Sequence, residues 1–454
     1  MDFSALERLV DERAERWTKE LQEFCRIPSE TAHVEELRAG ARWTADRLRA
    51  LGASVETIGP PDVPPLVVGE LGSGTRSLIC VQHYDVQPSD PLALWTTPPF
   101  EPTVRDGHLY ARGVSDNKGN FLIRVQAIEA YREVFGELPC RVRFLAEGEE
   151  ESSSRHLKQM LVARPDLVAG DGALQEGGGV DARGRPQLVC GVRGILYVEL
   201  SLRTLRFDAH SGGASLYPSA AWRLVEALAT LRRPDGTVTI DGFYDDARRP
   251  TAEQLAHLRG LPFEEAELKR IYGTDTFVGG RTGFEAQVAQ LFAPTCNIAG
   301  IWSGWTGPDA KTITPAEAHA KLDLRLVPDQ DPERIERALR RHLDVRGFAD
   351  VRIENLGAEH PYWTPVTDPL VDAADRASRN VFGIAGLRIF SSTGTAPMHQ
   401  VCAPHRLPMV AIGCGHAEAR AHAPDENVRL DLMWKAAKVL ARFLPEFAAI
   451  GKPS

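Results

Sequence analysis

Apolar residues recur near helical spacing in the first segment of the chain, at Leu6, Leu9, Val10, Ala14, Trp17 and Leu21, on an otherwise charged stretch, Met1 to Glu20 and just beyond. The first 190 residues then alternate helical periods with short apolar runs. The pattern predicts a helix near Val34 to Leu51, a strand at Arg76 to Val81, a helix near Asn120 to Phe135 and a strand at Cys140 to Ala146. Such a rhythm implies an α/β sheet covered by helices. Between Thr97 and Gly113 the density of Pro, Gly and Asp predicts a long loop.

From Gly194 the period changes to two, with Ile195, Tyr197, Glu199 and Leu200 alternating in character. A helix around Ser219 to Leu231, a strand at Ala318 to Leu326 and a helix at Pro332 to Leu343 follow, as expected of an inserted α+β layer. The α/β pattern returns with a helix near Leu370 to Val381, a strand at Met409 to Gly413 and a last helix at Val428 to Leu444. The main domain is therefore expected in two parts, 1–192 and 357–454, around an insertion at 193–356. No internal repeat interrupts this order, and the charged region Arg248 to Arg270 reads as helical.

At 454 residues, 43% of them hydrophobic, the chain has enough material for two cored domains. Lys plus Arg number 53 against 62 Asp plus Glu, and the formal charge of −9 carries no basic cluster suited to a phosphate backbone, so nucleic acid is excluded as an expected partner. The N-terminus lacks a basic leader followed by an apolar core, and runs such as Leu407 to Cys414 fall far short of the ~20 residues of a membrane span. No membrane partner and a cytoplasmic location are expected. The seven cysteines, Cys25, Cys80, Cys140, Cys190, Cys296, Cys402 and Cys414, form no CxxC pair and read as buried reduced thiols.

Acids and histidines gather at the ends of the predicted strands. His83-Tyr84-Asp85 follows the run Leu78 to Val81, where open α/β sheets place ligands, and Asp85 is a suitable acceptor for the second nitrogen of a metal-bound imidazole. Taken singly, a histidine after a strand is more often an ordinary satisfied residue. Asp116 lies in the Gly-bounded stretch Gly113 to Gly119, where its two oxygens suit it to bridge two cations or to cap the following helix. Glu147 to Glu151 crowds four carboxylates after a strand, an arrangement that a cation or solvent must relieve. Glu176 precedes a glycine run, and His422 stands shortly before the final helix. His83, Asp116, Glu151, Glu176 and His422 together make a donor set suited to zinc, with cobalt or manganese as alternatives.

The order His-x-Asp, Gly-x-x-Asp-x-Lys-Gly, Glu-Glu-x-x-Ser, an isolated acid and a late Ala-His-x-x-x-Glu resembles the carnosinase, carboxypeptidase G and aminoacylase family of dinuclear zinc metallopeptidases over nearly the whole chain. Gln82 and Ser153 depart from that pattern where the family usually has glycine, and neither departure removes a ligand. The resemblance implies a mixed-sheet, zinc-peptidase-like catalytic domain with an inserted α+β lid and dimerisation domain. It implies two Zn2+ per chain, with His83 on one metal, Asp116 bridging both, and Glu151, Glu176 and His422 completing the ligands. Glu150 takes the place of the general base, in a register that matches the flanks Glu147-Gly148 and Ser152 to Ser154.

In the inserted layer, Asp208 to Gly212 resembles the family's lid segment, whose histidine reaches the partner subunit's active site and stabilises an oxyanion, which would be His210 in a homodimer. Lys311 to Pro315 and Leu324 to Pro328 resemble the segment whose arginine holds a substrate carboxylate, giving Arg325 that role with Thr312 nearby; a planar guanidinium suits it because it can pair bidentately. Asn297 and the pair Gly394-Thr395 are further expected substrate contacts. The implied activity is cleavage of a peptide bond in dipeptides or short peptides bearing a free carboxylate, through an ionised water and the base Glu150. A deacylase or amidohydrolase acting on N-acyl or N-carbamoyl amino acids is the alternative of the same class. A non-catalytic metal-binding assembly protein is the alternative of another class, against which the retained Glu150 speaks.

Overall fold

The computed structural model describes residues 2–31 and 33–451. Its first helix, Ser4–Cys25, buries Leu6, Val10, Trp17, Leu21 and Phe24, so the helical spacing read along the chain becomes one packed face. Each such side chain contributes about 1.5–3 kcal/mol relative to exposure. The chain forms two compact units, one comprising Met1–Gly191, Trp363–Ser392 and Ala396–Ser454, the other Val192–Tyr362 and Thr393–Thr395.

Among the described residues of the first unit, nine strands make a mixed sheet. Its centre is the wholly buried strand Ser77–His83, with Arg141–Glu147 parallel on one side and Gly172–Gln175 parallel on the other. A central strand buried on both faces needs apolar residues at successive positions, which is why Leu78 to Val81 reads as a continuous run rather than an alternation. The helices Gly119–Phe135 and Leu430–Ala448 each bury long apolar stretches in this unit. The expected loop from Thr97 to Gly113 instead holds a hairpin, Thr103–Arg105 paired with His108–Tyr110, and Asn427–Arg429 joins it as a third strand. Asp106 and Gly107 both have positive φ, 48° and 76°, as a tight two-residue turn requires.

The second unit is an antiparallel sheet in the order Asn297–Ser303, Glu317–Leu326, Gly194–Arg203, Arg352–Glu359. The two central strands alternate strictly in burial, and Leu196, Val198, Leu200, Leu322 and Leu324 join Leu224, Leu339 and Leu343 from two helices in one core. The strand Arg352–Glu359 pairs with Gly194–Arg203, and the second unit runs on to Tyr362. Among the described residues, no helix is long and apolar enough to cross a membrane.

Candidate active site

Because Ser77–His83, Arg141–Glu147 and Gly172–Gln175 run parallel, the chain leaves all three at the same edge of the sheet. His83 stands opposite Glu147 in register, Glu149 to Glu151 follow that strand, and Glu176 follows the third. Ligands collect at such carboxyl edges because the loops there converge on one crevice.

Asp116 reaches this edge on a constrained loop. Gly113 has φ 78°, and a Cβ there would lie 2.3 Å from Val86 Cγ1, so glycine alone lets the loop lie so close. Asp116 is extended (φ −127°, ψ 90°) just before the helix Gly119–Phe135, which has no side-chain cap. Its carboxylate is therefore directed elsewhere: Oδ1 lies 3.1 Å from His83 Nε2 and Oδ2 lies 3.1 Å from His422 Nε2. His422 sits at φ 62° in a turn with Arg420 and Asp425 also at positive φ. Left-handed non-glycine residues persist only where surroundings enforce them, and here Asp425 is pinned by Thr96, whose N and Oγ1 donate to it at 2.8 and 2.7 Å.

The three adjacent glutamates go to three different places. Glu149 receives His156 Nδ1 on its two oxygens, at 2.9 and 2.8 Å. Glu150 lies with His83 and Glu176, with donor atoms of all three within 4.8 Å of one another. Glu151 Oε2 lies 3.2 Å from His422 Nε2 and accepts from Gln87 Nε2 at 2.9 Å. His83 Nδ1 lies 3.0 Å from the main-chain oxygen of Asp85 and 3.3 Å from its Oδ1, while Asp85 Oδ2 accepts from the Glu151 amide. Asp85 thus links His83 to the turn that carries Glu151.

The electrostatics of this edge are those of several acids crowded together and largely buried. Burial pushes Glu150 well above the usual carboxylate range, and Glu176 adds to the effect. Burial likewise lifts Glu176 to about 7 and raises Glu151. Asp116 goes the other way: against its burial, hydrogen bonds to His422 and His83 hold it below the ordinary range. His422 is raised to about 10 by its bonds to Asp116 and Glu151. Burial opposes a charge on His83, yet Glu176, Asp116 and Asp85 hold its pKa well above that of a free imidazole.

A cation is the group this arrangement fits. Glu151 Oε1 and Glu176 Oε2 are buried without a hydrogen-bond partner, although a lone buried carboxylate oxygen is costly. Two imidazoles share the two oxygens of one aspartate, with Glu176 on the His83 side, 4.0 Å from its Nε2, and Glu151 on the His422 side. Imidazole and carboxylate donors of this kind suit a divalent metal.

The candidates from the inserted layer all lie in the second unit. His210 is exposed in a two-residue strand paired with Ile313–Thr314, and its Nδ1 accepts from Gly212 N at 3.0 Å. Thr312, also exposed, receives the Ser211 amide on its carbonyl. Asn297 donates to Asp323 Oδ2 at 2.8 Å. Arg325 donates through one terminal nitrogen to Thr395 Oγ1 at 2.7 Å, and the Arg193 amide donates to Gly394 O at 2.9 Å. Those bonds explain why Thr393–Thr395 belongs to this unit although the chain on both sides belongs to the other.

Residues 80–446 match the model of Peptidase family M20/M25/M40. The chain belongs to that family. The peptidase is 28% identical to the human Beta-Ala-His dipeptidase over 97% of this chain and 92% of that protein. It is 25% identical to the Cys-Gly metallodipeptidase dug1 of Schizosaccharomyces pombe over 99% of each. Its fold superposes with a TM-score of 0.90 on the crystal structure of an M20 family metallo-carboxypeptidase from Sulfolobus solfataricus, at 35% identity, covering 96% of this chain and 99% of that one. The peptidase is thus a metal-dependent hydrolase with the mixed α/β architecture of its family.

Several residues at the site were not picked out from sequence. Gln87 and His156 carry no pattern that marks them: each is a single polar residue, the first bonded to Glu151 64 residues on and the second to Glu149 across a turn of seven residues. Glu426 did carry one, as the last member of the Ala-His-x-x-x-Glu motif, but nothing in the sequence says what it holds.

Proposed function

We propose that this peptidase hydrolyses dipeptides or short peptides with a free terminal carboxylate, using two zinc ions and Glu150 as general base. The observation that carries the reading is the shared carboxylate of Asp116, one oxygen on His83 and the other on His422. Glu176 would complete the His83 set and Glu151 the His422 set. Zinc bound there supplies Lewis acidity and brings the ionisation of water close to neutral pH.

The protein's own groups do the rest. Glu150, free of the partner that occupies Glu149, takes a proton from the attacking water and returns it to the departing amine. Arg325 grips the substrate carboxylate through its guanidinium fork, steadied by Thr395, with Asn297, Thr312 and Gly394 as neighbouring contacts. His210 donates to the oxyanion of a partner subunit's substrate, a role worth about 10²–10³ in rate. A homodimer agrees with the edge strand Asn297–Ser303, which presents Ile298, Ile301 and Trp302 to solvent, since an exposed apolar sheet edge calls for a cover. Seven buried free cysteines agree with a reducing cytoplasmic setting.

The carboxypeptidase relative at 35% identity favours a second reading, removal of a C-terminal residue from longer peptides. The test is release of amine from dipeptides, longer peptides and N-acyl amino acids by zinc-loaded protein, with bound metal counted by elemental analysis. Turnover of dipeptides with about two zinc ions per chain is expected. Hydrolysis confined to N-acyl amino acids would overturn the peptidase assignment of the substrate, and fewer than one bound zinc would overturn the dinuclear site.

A further inference from the structure

We propose that Glu426 is a positioning residue that fixes the Asp116 loop in the geometry for metal binding and ties that loop to the turn carrying His422. The proposal rests on the reading of Asp116 as the shared ligand. Glu426 is 1% exposed, makes no approach to the His83 or His422 rings in the structure's hydrogen bonds, and is used by no step of the reaction. Its carboxylate nevertheless has every reason to be where it is. Oε2 accepts from Arg112 and from the Gly113 amide, both at 2.9 Å. Oε1 accepts from the amides of Ser115 and Asp116, at 2.8 and 3.0 Å. Three main-chain N–H groups of one short loop thus converge on a side chain some 310 residues away in sequence.

The geometry has a specific consequence. The Asp116 amide is held by Glu426 while the Asp116 carboxylate spans His83 and His422, so the two ends of one residue are fixed from opposite sides. The anchor also reaches the other ligand segment. The Ala111 amide donates to Glu426 O at 3.1 Å, Arg112 donates to Ala423 O at 3.4 Å, and Asn427 pairs with Tyr110. The carboxylate thus fixes the Asp116 loop, while the backbone on either side of Glu426, four residues after His422 in the same motif, joins the flank of that loop to the His422 turn. Groups that orient a ligand in this way are typically worth about 10- to 100-fold in metal affinity.

Glu426→Gln is the sharpest perturbation because it keeps the shape. Whichever way the amide lies, its NH2 faces two donors, Arg112 and Gly113 N or Ser115 N and Asp116 N, and leaves them without an acceptor. The measurement is zinc affinity, by competition with a chromophoric chelator, of chelator-stripped full-length wild type, Glu426→Gln, Asp116→Asn and the double variant, alongside the melting of each metal-free protein.

The expected result is a loss of about 10- to 100-fold in zinc affinity for Glu426→Gln. The double variant should bind no more weakly than Asp116→Asn alone, since both changes act through one ligand. A folded Glu426→Gln with wild-type zinc affinity, whatever its melting temperature, overturns the proposal and leaves Glu426 a purely structural residue. Additive losses in the double variant overturn it as well. Wild-type affinity in Asp116→Asn would instead overturn the reading of Asp116 as a ligand, a separate failure. Should Glu426→Gln not fold, Glu426→Asp carries the test: it keeps the charge but draws the oxygens back, so a smaller measurable loss supports the proposal and wild-type affinity refutes it.

Discussion

Glu150→Gln tests the chemistry most directly, because the structure separates three glutamates that are adjacent in sequence. Glu149 is engaged by His156 at 2.8 and 2.9 Å, and Glu151 by His422 and Gln87 at 3.2 and 2.9 Å. Glu150 is the one that gathers with His83 and Glu176. The amide has nearly the same shape and cannot accept a proton, so the loss is that of a general base, about 10²–10⁴-fold in kcat. At about 1.4 kcal/mol per decade, this is about 3–5 kcal/mol of transition-state stabilisation. Stability should move little, and not downward in metal-free protein, because the substitution removes a carboxyl that burial and Glu176 already disfavour as a charge. Steady-state kinetics on a dipeptide, zinc content and the metal-free melting temperature are the assays. Expected are kcat reduced by at least about a hundredfold, an unchanged zinc count and a melting temperature no lower than wild type. Near-normal kcat in Glu150→Gln together with a collapse in Glu149→Gln would refute the assignment and move the base by one residue.

Arg325→Ala should weaken substrates with a free carboxylate by about 10- to 100-fold in kcat/KM while barely touching the corresponding amides, in line with a charged hydrogen bond worth about 1.5–3 kcal/mol; equal losses on both would remove Arg325 from the carboxylate site. Mixed His210→Ala and Glu150→Gln chains, allowed to exchange subunits, should regain up to about a quarter of wild-type specific activity, since half the dimers are mixed and each has one competent site. Absence of recovery after verified exchange would confine His210 to its own subunit. Gly119→Ala should lower both stability and zinc affinity, because its Cβ would stand 2.2 Å from Val114 O in the loop that carries Asp116; an unperturbed melting curve and metal titration would show that the loop yields freely.

Some features of this protein were legible residue by residue. The apolar face of Ser4–Cys25, the alternation in Gly194–Arg203 and Glu317–Leu326, and the long apolar helix at the C-terminus follow from local periodicity, because each element buries one face. The chemical types at the site were legible too, since imidazoles and carboxylates stand just after apolar runs. The strand Asn297–Ser303 was not predicted, because as a sheet edge most of its residues are exposed and no alternation develops. Arg352–Glu359 escaped because the pairing shifts register between Tyr197 and Val198, which breaks the period of two. The Asp106-Gly107 hairpin was hidden by strands of three residues, too short for a pattern.

What the tertiary structure alone decided is which groups meet. Nothing local places Arg141–Glu147 and Gly172–Gln175 on the two sides of Ser77–His83, yet that parallel order brings His83, Glu150 and Glu176 to one edge. Nothing in the run Glu149-Glu150-Glu151 says that the first turns to His156, the second to His83 and Glu176, and the third to His422. Glu426 is the clearest case: a single acid near the C-terminus becomes the acceptor for three backbone amides of a loop near residue 115. Sequence sets the chemistry available at each position through local periodicity and residue type, whereas the pairing of distant strands and loops is selected by the free energy of the whole packed sheet, which no local window contains.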